Sequence, residues 1–195
     1  MKHLRALSIA LLPFAALAAT APALADGADF PMDRGNFVRA MLDNHNAERQ
    51  RLGLPLLVWD DRLASDAAVW ARTMAETGEF EHDEESDAAE QQGENLWMGT
   101  RGAYSLAEMV DGWVEEKKYY ARGAVFPHVS RTGNYEDVGH YTQLIWKDTR
   151  HVGCGLRADA DYEYLVCRYD PPGNWEGEIA EHGRRGNGTK LASRD

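Results

Sequence analysis

Phe37, Met41, Leu42, His45 and Leu52 fall at helical spacing, which predicts a first helix over residues 36–52 with Gly53 as its stop. The compact apolar run at 54–59 then reads as a strand. Helical period returns over 61–77 through Leu63, Ala67, Trp70 and Met74, and Gly78 closes it. Residues 79–92 show no period and many acids, which marks a surface loop of the kind that often carries function. Ser105 and Glu108 form a capping box that opens a third helix reaching to about residue 121. An irregular stretch, 122–138, leads to a short helix over 139–147. Two strands, 152–158 and 162–169, follow around the turn Asp159-Ala160-Asp161 and read as a hairpin. Helices and strands are interspersed without a βαβ rhythm, so the fold class is α+β with antiparallel strands.

The ends of the chain differ from its middle. Lys2, His3 and Arg5 precede an apolar run over 6–19, and Ala23-Leu24-Ala25 supplies a small-x-small cleavage site, so residues 1–25 read as an export signal. A membrane anchor is the competing reading, but Pro13 breaks the run and it falls short of the roughly 18–20 residues a span requires. Residues 26–35 form a polar leader. Beyond 177 apolar residues almost vanish, and 178–195 read as a flexible tail.

Charge and cysteine content narrow the function classes. Cleavage after residue 25 removes Lys2 and Arg5 and no acid, moving the formal charge from −11 to −13. Nucleic acid is thereby disfavoured as a partner, because phosphate backbones require clustered cations. Cys154 and Cys167 are the only cysteines. In an oxidising compartment they read as one disulfide; a two-cysteine metal site is the alternative, without a CxxC or Cys-x-His spacing behind it.

Two dense motifs close the domain: Gly139-His140-Tyr141-Thr142-Gln143-Leu144-Ile145-Trp146, and residues 164–174, Tyr-Leu-Val-Cys-Arg-Tyr-Asp-Pro-Pro-Gly-Asn. His45-Asn46-Ala47-Glu48-Arg49 and Gly93-Glu94-Asn95-Leu96 precede them. In this order the four resemble the signatures of the CAP superfamily: cysteine-rich secretory proteins, antigen 5 and plant pathogenesis-related class 1 proteins. The resemblance covers residues 36–175 and implies a CAP domain over 36–177, folded as a three-layer α-β-α sandwich with a small antiparallel sheet. It also implies a secreted or periplasmic protein. Eukaryotic members carry more bridges, so the sparse cysteine complement resembles bacterial members.

By resemblance, His82, Glu94, Glu116 and His140 line one open cleft. Glu116 also has a physical argument. At about 100° per residue, Met109, Trp113, Glu116 and Tyr120 share a helix face, whereas Glu115 points away. A carboxylate on that apolar face needs a histidine or a cation as partner, or it merely anchors a core hydrogen-bond network. Two imidazoles backed by two carboxylates suit a divalent metal such as zinc, held by His82 and His140. The bland alternative is a polar cleft of hydrogen-bonded residues. Family proposals of a hydrolase place a serine directly after the first cleft histidine; here that position is Asp83, so the nucleophile is missing. The leading expectation is therefore binding rather than catalysis, directed at a small molecule, lipid, sterol or envelope component. An extracytoplasmic hydrolase using the same cleft is the alternative. His45 lies on the apolar stripe of the first helix and reads as a core histidine, Asn46 and Arg49 read as structural ties from that helix to backbone carbonyls or carboxylates, and Trp97 is a candidate for the rim of a groove.

Overall fold

The computed structural model describes residues 33–83 and 92–182, together with the backbone of 189–190. The expected export signal, most of the leader and positions 84–91 of the acidic loop lie outside the described residues.

The first three helices begin where a capping side chain satisfies their first free N–H groups. Asp33 accepts from Asn36 N at the start of α1 (Arg34–Arg51), so the helix begins two residues inside the expected leader. Asp60 accepts from Arg62 N and Leu63 N at the start of α2 (Asp61–Thr77), which Gly78 ends in the left-handed conformation at φ 75°. Ser105 and Glu108 form the reciprocal capping box of α3 (Leu106–Glu115). This helix stops earlier than expected, and Glu116 begins a 3-10 turn, Glu116–Lys118. A second 3-10 turn, Tyr135–Val138, runs into α4 (Gly139–Leu144).

The strands are β1 (Val58–Trp59), β2 (Gly93–Thr100), β3 (His151–Ala158) and β4 (Tyr162–Asp170), in the order β1-β3-β4-β2. β3 and β4 form the expected hairpin, with Cys154 opposite Cys167, and β2 pairs antiparallel with β4 from Gly93↔Tyr169 to Thr100↔Tyr162. β1 runs parallel to β3, so the sheet is mixed rather than purely antiparallel. The 54–59 run yields only a two-residue strand because its first part is claimed elsewhere. Leu57 exchanges two hydrogen bonds with the Asn46 amide, and Pro55 O accepts from Arg49 Nε.

Three layers result. On one face Leu96, Tyr164 and Val166 pack on Ala67, Ala71 and Met74 of α2. The helix lies almost on the backbone there: a Cβ at Gly153 would sit 2.2 Å from Ala64 N, and one at Gly155 2.4 Å from Ala68 Cα. On the other face Val152, Leu165 and Tyr169 pack against α1, α3 and α4. The packed chain continues past 177. Phe126 N donates to Glu178 O, Lys147 N donates to Ala180 O, and Ala180 is buried. β5 (Trp175–Glu176) pairs antiparallel with β6 (Thr189–Lys190). These contacts are backbone hydrogen bonds, which apolar periodicity does not register. Among the described residues no helix is long and apolar enough to cross a membrane.

Candidate functional site at the open edge of the sheet

β2 is an edge strand, and its first residues hold the site together. Glu94 lies beside Arg168 in the β2–β4 register, on the sheet face covered by α2. Its Oε1 accepts from His82 Nδ1 at 2.6 Å and from the Asp83 backbone N–H at 3.2 Å. Its Oε2 pairs with Arg168 Nη2 at 2.9 Å, and the same Nη2 reaches Asp83 Oδ2 at 2.8 Å. The Arg168 side chain is 1% exposed, so this is a buried cation set between two carboxylates.

The other half of the site lies around the opposite face of the same strand. Glu116 Oε1 accepts from His140 Nδ1 at 2.6 Å, and its Oε2 accepts from Tyr141 N at 2.9 Å. Trp113 lies nearly parallel to the His140 ring, at 19° and 6.1 Å between centroids, while its Nε1 donates to the edge carbonyl of Leu96. Glu115 is exposed. The helix-face argument therefore points to the carboxylate that meets a histidine, even though the helix itself ends one residue before it.

Asn95 ties this half to the core. Its Nδ2 donates to His140 O and to the Tyr169 hydroxyl, each at 3.1 Å. His45 Nδ1 sits 2.7 Å from Met41 O, which can only accept, so the proton is on Nδ1. His45 Nε2 must then accept from Tyr169 OH at 2.8 Å. The network thus has a fixed direction: Asn95 to Tyr169 to His45 to Met41. Burial pushes the His45 pKa down to about 4, with a smaller push from the Arg49 cation and an opposing pull from Met41 O.

The remaining motif residues build the frame. Arg49 is fully buried and donates to Pro55 O, Leu144 O, Trp146 O and Thr149 O; burial lowers its pKa to about 10. Tyr141 OH donates to Glu48, whose carboxyl is held below its ordinary value chiefly by Arg51. Gln143 Oε1 accepts from Gly173 N, and Thr142 Oγ1 donates to Asn174 Oδ1. The two long signatures thus bond to each other, and from the first of them only His140 turns into the site. Trp97 packs edge-on against Tyr104 at 5.1 Å.

The four expected residues therefore stand as two His–Glu pairs around the edge of β2. Each histidine spends Nδ1 on its glutamate and keeps about a third of its side chain (32%) exposed. Among the described residues no three His, Cys, Asp or Glu side chains gather into a metal-sized cluster. Sequence reasoning missed Arg168 and Asn95 as partners. A signal for Arg168 existed, because a cation inside the buried run 163–169 requires an acid across the sheet.

An α-β-α sandwich whose sheet edge carries paired His–Glu side chains defines the class of protein. A model of the cysteine-rich secretory protein family, CAP, matches residues 42–169, and the chain belongs to that family. It is 38% identical to pathogenesis-related protein 1A of Nicotiana tabacum over 139 residues, covering 70% of this chain and 76% of that protein. It is 34% identical to pathogenesis-related protein PR-1 of Medicago truncatula over 145 residues, covering 73% and 78%. Among solved structures it is similar to NaASP2, determined with Zn2+, at a TM-score of 0.64 and 22% identity over 78% of this chain and 88% of that one; this likeness concerns the fold.

Proposed function

We propose that the chain is an exported CAP-domain binding protein whose working site is the His–Glu edge of the sheet. The observation that carries this reading is the shared geometry of the two pairs. In each, a carboxylate 2.6 Å from Nδ1 fixes the ring and its proton, and leaves Nε2 to a ligand. That donor set fits a divalent cation such as zinc at a weak, open site, with His82 and His140 as the protein ligands and Glu94 and Glu116 behind them. When bound, such an ion would supply an electrophilic anchor for an anionic or carbonyl-bearing partner, whether a small molecule, a lipid headgroup or an envelope component. NaASP2, with the same fold, was determined with Zn2+, which supports the reading. The apolar, Ala-rich residues 1–25 support export, and the two-cysteine complement supports a bacterial member of the family.

Binding is favoured over hydrolysis by what surrounds His82. The position where a serine nucleophile would stand is Asp83, and Arg168 holds its carboxylate. Titration calorimetry with zinc chloride tests the reading. The parent binds one ion, either histidine-to-alanine variant, His82→Ala or His140→Ala, abolishes the signal, and affinity falls as the imidazoles protonate in acid. Binding that survives loss of both histidines would place the ion elsewhere.

A further inference from the structure

At the opposite edge of the sheet, β1 ends after pairing with His151 and Val152, while β3 runs on to Ala158. With α1 on one side and α2 on the other, the space where β1 would have continued is a cavity of about 400 Å3. Phe37 and Val38 of α1, Trp59 of β1, Ala64 and Ala68 of α2, and Leu156 of β3 form its walls. The Phe37 and Trp59 rings meet edge to face at 6.2 Å. This size and lining suit a small organic molecule.

The charged groups around the cavity are not balanced. Asp61 is engaged twice, by Arg34 Nη2 at 2.6 Å and by Trp59 Nε1 at 2.9 Å. Arg157 has no such partner. Its Nη1 donates to Leu156 O at 2.8 Å, its Nε is buried without an acceptor, and no carboxylate pairs with it among the described residues. Arg72 stands one helical turn beyond Ala68 and two beyond Ala64, on the face of α2 that walls the cavity. It too forms no ion pair among the described residues. β3 and α2 run in step, Gly153 against Ala64 and Gly155 against Ala68, so the next step sets Arg157 beside the exposed Arg72; burial, and then this second cation, depress the Arg157 pKa. In a chain with 32 acids against 21 bases, two neighbouring guanidiniums without an acid between them leave room for an anion from outside.

We propose that this cavity binds a small amphipathic organic anion. Its apolar body lies against Phe37, Trp59 and Leu156, and its single carboxylate or sulfonate meets Arg157 and Arg72. The site is separate from the His–Glu edge, since β3 and β4 stand between them in the sheet.

The purified protein is titrated with anilinonaphthalene sulfonate by fluorescence, and decanoate and decanol then compete with it. Decanoate is expected to displace the dye, and Arg157→Gln to weaken both anions by at least about tenfold while changing decanol by less than about twofold. Ser65→Trp, on the exposed side of α2 at the cavity mouth, is expected to block all three ligands with an unchanged circular dichroism spectrum. His140→Ala is expected to leave all three as in the parent. Equal competition by decanoate and decanol in both the parent and Arg157→Gln would overturn the proposal, as would dye binding that survives Ser65→Trp. So would a dye that enters only after residues 26–33 are deleted, because the chain's own leader would then be the occupant.

Discussion

His45 gives the molecule a specific sensitivity to acid. Its Nδ1–H is spent on Met41 O and its Nε2 receives the Tyr169 hydroxyl proton, so a second ring proton has no place without reversing Tyr169. Burial reinforces this and lowers the pKa from an ordinary 6.5 to about 4. Between those values the unfolded chain binds a proton that the folded one refuses, so stability falls as pH falls from 6.5 towards 4 and no such loss occurs above 6.5. At about 1.4 kcal/mol per pH unit, the interval is worth about 3 kcal/mol in full, of which about 2 kcal/mol is lost between pH 7 and pH 4.5. Other groups titrate over the same range, so the assay is differential. Urea unfolding is measured for the parent and for His45→Gln, whose amide offers one N–H and one carbonyl to the same two partners but cannot titrate. The substitution has its own cost, but that cost does not vary with pH. The variant's deficit should therefore shrink by about 2 kcal/mol on going from pH 7 to pH 4.5. A deficit that stays constant within about 0.5 kcal/mol across that range would show that His45 takes up its proton in the folded state.

Three further outcomes are expected. Glu116→Gln moves the His140 ring resonances in NMR spectra, while Glu115→Gln leaves them in place and changes stability by less than about 0.5 kcal/mol, because Glu115 is an exposed surface charge; unmoved His140 resonances in Glu116→Gln would uncouple the pair. Arg168→Met removes the cation shared by Asp83 and Glu94, whose side chains are 19% and 6% exposed, and lowers the urea unfolding free energy by about 3 kcal/mol; adding Asp83→Asn should return part of that loss, and strict additivity would mean that the two do not interact. The Cys154–Cys167 bridge closes a separation of 13 residues, so its reduction should lower stability by about 3 kcal/mol at most; mass spectrometry should find the native protein two hydrogens lighter than the reduced one.

The sequence shows most clearly those elements whose side chains carry the pattern themselves. α2 has a regular apolar stripe, an Asp cap and a left-handed Gly78, and its observed limits are those expected. The β3–β4 hairpin was legible from its apolar runs and its turn. β2 was not. Gly93, Glu94, Asn95 and Gly99 are poor strand formers, and the strand exists because β4 pairs with it along its whole length. A Cβ at Gly93 would sit 2.2 Å from Gln143 Oε1, so that position serves a close approach rather than strand propensity. The parallel pairing of β1, within the expected 54–59 strand, and the packed 178–182 segment were hidden for a related reason. Backbone hydrogen bonds hold both, and these leave little trace in side-chain type.

The site was legible in membership and less so in arrangement. The four residues pair off as His82 with Glu94 and His140 with Glu116, and the reason lies in strand geometry. Glu94 and Asn95 are consecutive on β2, so they leave it on opposite faces. One face takes His82 and the Arg168–Asp83 pair; the other takes the carbonyl of His140 and, through Tyr169, the buried His45. The strand therefore couples two different environments across a single peptide unit, one bearing buried charges and the other a neutral, directional hydrogen-bond chain. A ligand that draws the two imidazoles together must act on both through residues 94 and 95. Loosening β2 should accordingly disturb both histidines at once, whereas breaking one glutamate contact should disturb its own histidine first.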